Sequence, residues 1–112
     1  MKKDYLEQIL KETKNTNVML INLIEVLSSR EEGSTKQELS TSLGTNERQV
    51  RGYIRDARKM GVPIVSSSQE RGYYIAQTQD DIQKIIADYK SRAKDMWDTA
   101  ERLSRLVIVD DE

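Results

Sequence analysis

The segment TNERQVRGYIRDARKMG (residues 45–61) concentrates positive charge in a chain of 112 residues whose formal net charge is −1. The segment predicts a helix that begins after the N-cap Asn46, with Gln49 three residues later, and that ends before Gly61 and Pro63. Because each residue of a helix advances about 100°, the basic side chains share one face and the apolar side chains occupy the other. The basic residues are Arg48, Arg51, Arg55, Arg58 and Lys59, and the apolar residues are Val50, Tyr53, Ile54, Ala57 and Met60. Arg58 lies nearest the apolar side, where we expect it to pair with an acidic neighbour.

The residues just before this segment predict a second, shorter helix. In STKQELSTSLG (residues 34–44), Thr35 and Glu38 fit a capping box, and Leu39 and Leu43 are an apolar pair four residues apart. Gly44 ends this helix, and a turn of about three residues leads into the basic helix. Two helices joined in this way predict a helix-turn-helix, a motif that places its second helix in the major groove of DNA.

The remaining segments complete a mainly α-helical prediction with one small β-hairpin. A short helix is predicted over about residues 4–13, followed by an apolar helix whose core stripe is Leu20, Leu23, Ile24 and Leu27. Residues 64–66 and 73–76 read as two short strands around a polar turn that contains Gly72, which would be the wing of a winged helix. The sequence TQDD then caps a long helix over about residues 80–106. We therefore expect a winged helix-turn-helix with a long C-terminal helix.

A family resemblance strengthens this prediction. The stretch KQELSTSLGTNERQVRGYIRDARKMGVPIVSSSQERGYYIA (residues 36–76) resembles the winged helix-turn-helix of the biotin-operon-repressor and deoxyribose-operon-repressor type, and the likeness covers about residues 18–77. The matching residues are Glu38, Leu39, Leu43, Gly44, Arg48, Val50, Arg51, Ile54, Gly61, Val62, Pro63, Ile64, Gly72 and Tyr73. Three positions depart from the family pattern: Ser40 replaces an alanine, Asn46 a serine cap, and Gly52 an arginine or other polar residue. Gly52 either lets the helix backbone approach DNA closely or is merely tolerated.

The resemblance implies a DNA-contacting role for particular residues. Arg48, Gln49, Arg51 and Arg55 would reach base edges and flanking phosphates. Phosphate contacts would come from Thr35, Lys36 and Lys59, and from Arg71 in the wing. The turn residues Thr45 and Asn46, together with Gly52, complete the expected DNA-binding set. Arginine suits this role because its planar fork can contact guanine O6 and N7 together.

Charge and composition support this interpretation and narrow the alternatives. Residues 34–77 carry seven Lys/Arg and four Asp/Glu, a net of +3, whereas residues 78–112 carry six and nine, a net of −3. The chain contains no cysteine and no histidine, which removes disulfides, thiolate metal sites and the usual nucleophilic triads. We therefore expect no enzyme activity, catalytic residue, metal or cofactor, and we see no evident small-molecule ligand. No apolar run of 18 residues or signal-peptide pattern is present, so we expect a cytoplasmic protein without a membrane span.

The long C-terminal helix carries an apolar heptad stripe. Its positions are Ile82, Ile86, Tyr89, Ala93, Met96, Ala100, Leu103 and Val107, widened by Ile85, Trp97 and Leu106. Such a stripe has to pack on something, either on a second copy of the chain or on its own domain. Seam positions occupied by alanine, and flanks without complementary charges, favour antiparallel or partly intramolecular packing over a parallel zipper. We expect a homodimer with the positions from Ile82 to Leu103 at its interface.

The sequence thus predicts an N-terminal helix (residues 1–14), a winged helix-turn-helix domain (residues 15–77) and a dimerisation helix with an acidic tail (residues 78–112). The predicted function is sequence-specific binding of double-stranded DNA by a dimeric transcription regulator. Its recognition helix spans about residues 46–60 and its wing about residues 64–76. The resemblance is to compact, stand-alone proteins of bacteria and their phages, so a replication-initiation or origin-binding role is an alternative. A protein–protein adaptor that has lost DNA binding is another.

Overall fold

The computed structural model describes Gln8 and residues 18–67 and 72–109 of the chain. These residues form four helices and one two-stranded antiparallel hairpin, in the order α1 (Val18–Ser29), α2 (Lys36–Leu43), α3 (Glu47–Lys59), β1 (Ile64–Ser66), β2 (Tyr73–Ile75) and α4 (Gln79–Ser104). The predicted fold class, a mainly α winged helix-turn-helix with a long C-terminal helix, is confirmed. The N-terminal helix predicted over residues 4–13 lies outside the described residues.

Side-chain caps fix where α2 and α3 begin. The Thr35 side chain accepts a hydrogen bond from the backbone N–H of Glu38 at 3.1 Å, and the Glu38 carboxylate accepts one from the Thr35 N–H at 2.8 Å. This is the predicted capping box, which satisfies two N–H groups that the helix itself leaves unpaired. Asn46 caps α3 in the same manner by accepting from the Gln49 N–H at 2.8 Å. Both helix starts were therefore readable from single residues.

The core lies where the three short helices meet the hairpin. The four predicted α1 residues are buried, and they meet Leu39 of α2 and the buried apolar face of α3. The buried residues of this cluster are Leu20, Leu23, Ile24, Leu27, Leu39, Val50, Ile54, Ala57, Val62, Ile64 and Ile75. Leu43 and Tyr53 are half-buried at its edge. Because this core uses the inner face of α3, the basic face of α3 is directed to solvent.

The hairpin is tied to the helix-turn-helix by a short third strand segment. Within the hairpin, Val65 pairs with Tyr74. Ser34, just before α2, makes an isolated β-bridge to Tyr73. The Ser34 N–H donates to the Tyr73 carbonyl, with 2.8 Å between N and O, and the Tyr73 N–H donates to the Ser34 carbonyl, with 2.7 Å between N and O. The backbone passes so close at this point that a Cβ on Gly72, whose φ is +79°, would lie 2.4 Å from the Ser34 carbonyl oxygen. Glycine is therefore required there, both by its left-handed backbone and by the lack of space.

Helix α4 is packed on the domain only over its first turns. Thr78 caps it, and Ile82 and Ile85 lie against a small second cluster of Val65, Tyr74 and Ala76. Every side chain from residue 86 onward in α4 is exposed.

Helix α4 ends at Ser104, two residues before the predicted end, and Arg105 is its C-cap. The β-branched residues Val107, Ile108 and Val109 follow this end, and their restricted side chains slightly disfavour a longer helix. None of the described helices is long and apolar enough to span a membrane.

Candidate nucleic-acid interface

The turn between α2 and α3 consists of residues 44–46 and is fixed by backbone hydrogen bonds. Gly44 adopts the left-handed conformation, with φ +65°, and its N–H points back to the last carbonyls of α2. The Thr45 N–H donates to the Ser40 carbonyl at 2.9 Å, and the Thr45 hydroxyl pairs with the Gln49 side chain. These contacts set the orientation of α3 relative to α2, and two of the residues that make them, Thr45 and Gln49, belong to the expected DNA-binding set.

A stripe of cations runs along the outer face of α3. Arg48, Arg51, Arg55 and Lys59 are all exposed, at spacings of three, four and four residues. A helix rises about 1.5 Å per residue, so the stripe is about 16 Å long. Of these four, Arg55 has an ion-pair partner within the described residues, the neighbouring Asp56, at 3.6 Å on the exposed surface. A pair in that setting stabilises by at most about 1 kcal/mol, which leaves the guanidinium available to a phosphate or a base.

The remaining predicted contact residues occupy the edges of this face. Thr35 and Lys36 stand half-buried at the start of α2, and the exposed Asn46 stands at the start of α3. The N-termini of both helices carry unpaired N–H groups and the positive end of the helix dipole, which favour a nearby anion. Arg71, the predicted wing contact, lies outside the described residues.

Arg58 departs from its prediction. We expected a carboxylate partner for it, but no ion pair of Arg58 is found among the described residues. Instead, its Nε donates to the carbonyl of Ile64 at 3.0 Å, and its guanidinium lies 5.9 Å from the centre of the Tyr89 ring. The partner is the backbone carbonyl of Ile64 rather than the expected carboxylate, because strand β1 follows α3 after only four residues and passes beside it. Arg58 therefore links α3, the hairpin and α4.

Gly52 lies within the cationic stripe, half-buried, one helical turn after Arg48. A Cβ added there would meet only the mobile end of Arg55, at 3.7 Å, which is an ordinary van der Waals contact. No packing inside the described part of the chain therefore demands a glycine, although glycine costs about 1 kcal/mol relative to alanine in a helix interior.

Sequence reasoning missed the anchoring of the wing. Ser34 and Tyr73 are 39 positions apart in the chain, and their bridge is what holds the hairpin beside α2. In the sequence, the one residue that pointed to this junction was Gly72, which fits the pattern of the resembled family. That fit did not reveal that Ser34 lies against Gly72. Ser34 is fully buried, and its hydroxyl has no hydrogen-bond partner in the described part of the structure.

The carboxylate of Glu38 belongs to the capping box at the start of α2. Glu38 has its pKa lowered, first by the hydrogen bond from the Thr35 backbone and then by smaller contributions that include Arg30 at 3.4 Å. Among the described residues, no group of three or more possible metal ligands comes together. The guanidinium, ammonium and backbone N–H groups of this face can bind an anion.

These features define a winged helix-turn-helix with an exposed cationic second helix. The sequence matches no protein-family model and no curated protein. Among solved structures, the chain is similar to CouR from Rhodococcus jostii RHA1, in a crystal structure bound to p-coumaroyl-CoA. The two are 17% identical, the match covers 92% of this chain and 83% of that one, and the TM-score is 0.47. At that level of likeness, function has to be inferred from this chain's own residues.

Proposed function

We propose that this protein is a dimeric, sequence-specific regulator of transcription that binds double-stranded DNA through α3 and the wing. In this proposal, α3 lies in the major groove, with Arg48, Gln49, Arg51 and Arg55 toward base edges and nearby phosphates. Thr35, Lys36 and Lys59 bind flanking phosphates, and Arg71 adds a contact from the wing.

The observation that carries the proposal is the cationic stripe on the outer face of α3. Four exposed cations share this face, while the buried inner face joins α3 to the core. Glu47, at the start of α3, and Asp56 are the acidic residues of this helix. A B-DNA major groove is about 12 Å wide and admits one α-helix, so a single exposed helix bearing this stripe fits it. The capped three-residue turn supplies the rigidity that base recognition requires.

The dimer is proposed from the apolar face that α4 exposes. Met96, Trp97 and Leu103 are 73%, 68% and 61% exposed, and no residue of α4 is fully buried. A helix of 26 residues that carries this much exposed apolar surface is typical of an interaction site. The molecule measures 60 × 31 × 30 Å, which leaves the far part of α4 accessible to a second copy.

The spacing of the apolar stripe suits an antiparallel pair. Steps of four and three residues alternate from Ile82 to Val107, and the series reads the same in both directions. With a two-fold axis between residues 94 and 95, Ile86 lies opposite Leu103 of a second copy, Tyr89 opposite Ala100, and Ala93 opposite Met96. Alanine beside a larger side chain in two of these three pairs lets the helices approach closely. A symmetric interface of this kind uses the same patch on both chains.

Selection of bound sites from random duplexes tests the proposal directly. A dimer of this kind should enrich a palindrome whose half-sites lie about one turn of DNA apart. The affinity should fall steeply with salt, because each neutralised phosphate contributes about −0.9 to the slope of log K against log salt. Absence of any enriched sequence, together with an affinity insensitive to salt, would favour the adaptor alternative.

Matched variants distinguish the effect of the cationic stripe on DNA affinity from the effect of total charge. Arg51→Ala should lower affinity for the selected site, whereas Arg102→Ala, which removes the same charge from the far end of α4, should leave the affinity of a single half-site unchanged. Equal losses in both variants would mean that charge alone, and not the position of α3, determines binding. Reporter expression with the selected site placed at a promoter would then distinguish regulation from a role at a replication origin.

A further inference from the structure

An apolar cleft lies where the first turns of α4 pass the end of α3. Its volume is about 400 Å³, and it is lined by three positions of the α4 apolar stripe, Ile82, Ile86 and Tyr89. The other walls come from residues that follow α3, among them Pro63, and from cations at the rim, among them Lys90. Ile86 and Tyr89 are still 39% and 40% exposed. The cleft is therefore part of the apolar surface that α4 leaves uncovered.

The stripe continues from this cleft along the whole exposed length of α4. Any helix that pairs with the first stripe positions must therefore also lie over the cleft and beside the end of α3. In the antiparallel register proposed above, Leu103 of the second copy lies opposite Ile86, and Ala100 of the second copy lies opposite Tyr89. Both pairs bring side chains of the second copy to residues that line the cleft.

The residues that flank the stripe support this register independently. In an antiparallel helix pair, each flanking position lies beside the equivalent flank of the other helix. Ile85 then lies beside Leu106 of the second copy, just past the end of α4, so that two apolar side chains meet. Lys90 lies beside Trp97 of the second copy, and the face of an indole ring attracts a cation. A parallel pair would instead place Ile85 beside Lys90 of the other chain, an apolar side chain beside a charged one.

We infer that each cleft between α3 and α4 binds the last two turns of α4 from a second copy, with Trp97 of that copy between Lys90 and the end of α3. The dimer interface then includes the DNA-binding domain as well as α4, and each copy helps to hold the end of the other copy's α3. Trp97 and Leu106, each 68% exposed in the single chain, are covered in this arrangement. This inference rests on the proposed dimer, although it does not depend on DNA binding.

The single tryptophan of the chain makes this contact measurable by fluorescence. A full-length chain that carries Trp97→Phe and a nitroxide spin label on one introduced cysteine is mixed in excess with the natural chain. Tryptophan emission then comes from the natural copy alone, and the quencher sits on the labelled copy alone, so any quenching arises between copies. The label reacts at the intended position because the natural sequence contains no cysteine.

Labels at Lys90→Cys and Ser104→Cys form a matched pair, since the two residues lie seven positions before and after Trp97 in α4. In the antiparallel pair, Trp97 of one copy lies about 3 Å along the axis from position 90 of the other copy and about 18 Å from position 104. Quenching should therefore be strong with the first label and weak with the second. In a parallel pair both distances are about 10 Å, so equal quenching would overturn the inference.

A second pair of labels tests whether the contact extends to α3. Lys59 lines the cleft, and Arg48 stands about 16 Å away on the same helix; both are exposed. Without DNA present, a label at Lys59→Cys should quench Trp97 of the other copy, whereas a label at Arg48→Cys should not. Strong quenching from position 90 with none from position 59 would mean that the helices pair but leave the cleft open, and the inference would be wrong.

Removing the indole tests its contribution to the dimer. Trp97→Ala should weaken dimerisation about tenfold or more in sedimentation, because a tryptophan covered within an interface is commonly among its largest contributors. Ile108→Ala is the control, because Ile108 is also a large exposed apolar residue, at 83%, but lies beyond the paired stripe. This control should dimerise like the natural chain. If Trp97→Ala does so too, Trp97 does not fill the cleft.

The outcomes remain distinct from those of the proposed function. A natural chain that binds no duplex but shows the expected quenching would overturn the DNA proposal and leave the cleft assignment standing. A chain that sediments as a dimer with equal quenching from positions 90 and 104 would overturn the cleft assignment and leave dimerisation standing. A chain that sediments as a monomer and shows no quenching would overturn both, while half-site binding is judged separately.

Discussion

Replacing Gly52 with alanine should have separate effects on the stability of the fold and on the affinity for DNA. Gly52 lies inside α3, and an added Cβ would meet only the Arg55 guanidinium, at 3.7 Å. Since neither strain nor a clash opposes the methyl group, Gly52→Ala should stabilise the protein by the helix-propensity difference, about 1 kcal/mol. For a domain of this size, that gain raises the Tm by roughly 4–8 °C. Thermal unfolding followed by circular dichroism measures it directly.

The same variant tests how closely DNA approaches α3. The methyl group would stand within the cationic stripe, between Arg48 and Arg55, where the proposed groove contact is closest. If the backbone of α3 approaches DNA at Gly52, the affinity of the selected duplex should fall about fivefold, which corresponds to about 1 kcal/mol. Fluorescence anisotropy on the same preparation gives this number. A higher Tm with unchanged affinity would refute close approach, and an unchanged or lower Tm would refute the stability reasoning.

Gly44→Ala is the matched control for this experiment. It makes the same chemical change eight residues earlier, also in open space, but at a φ of +65°. A side chain in the left-handed region costs about 1–2 kcal/mol, so this variant should lower the Tm. Opposite signs at the two glycines would show that backbone conformation, rather than added apolar surface, determines the result.

Three further substitutions test the junction between the wing and α2. Gly72→Ala should destabilise the protein by more than the roughly 1–2 kcal/mol that left-handed strain alone costs at Gly44, because the new Cβ would also lie 2.4 Å from the Ser34 carbonyl oxygen. Urea unfolding measures the loss. Ser34→Ala should be neutral or stabilise by up to about 1 kcal/mol in the same assay, because it removes a buried hydroxyl that lacks a partner; a clear loss would mean that a partner exists. Glu38→Gln tests the pH dependence: because hydrogen bonding lowers the folded-state pKa of Glu38, its contribution is present above the unfolded pKa and is lost as pH falls through the folded pKa. The stability advantage of the natural chain over Glu38→Gln should therefore shrink as the pH falls below about 4.3, the ordinary pKa of a glutamate, and a constant difference would contradict this origin.

The local features of the fold could be predicted from the sequence because single residues determine them. The Thr35 and Asn46 caps, the left-handed Gly44 and the buried stripe of α1 follow from propensity, capping chemistry and helical periodicity. The cationic stripe was predictable for the same reason, since a helix with one buried face must expose the opposite one.

The long-range features could not be predicted in this way. The bridge between Ser34 and Tyr73 joins segments that only the tertiary fold brings together, and Arg58 found a carbonyl on a strand that packs beside it. The extent to which α4 packs on its own domain was also not predictable, since its first turns pack on the hairpin while the rest is exposed. A heptad pattern indicates that a helix has an apolar face suited to packing, but it does not identify the partner.

The length of α4 offers a last test, because it sets the distance between the two recognition helices. In the proposed antiparallel pair, the two copies of Ile82, near the start of α4, are separated along the helix axis by about 37 Å. Inserting seven residues in the middle of α4, in register with the stripe, keeps the apolar face continuous and moves the two domains apart by about 10 Å, or about three base pairs. The variant should still dimerise and should bind a single half-site like the natural chain, but it should lose the tight binding to the naturally spaced palindrome that depends on linking two domains. Repeating the site selection with this variant should enrich a different spacing. Retention of the original spacing would mean that α4 does not determine how the two domains are held on DNA.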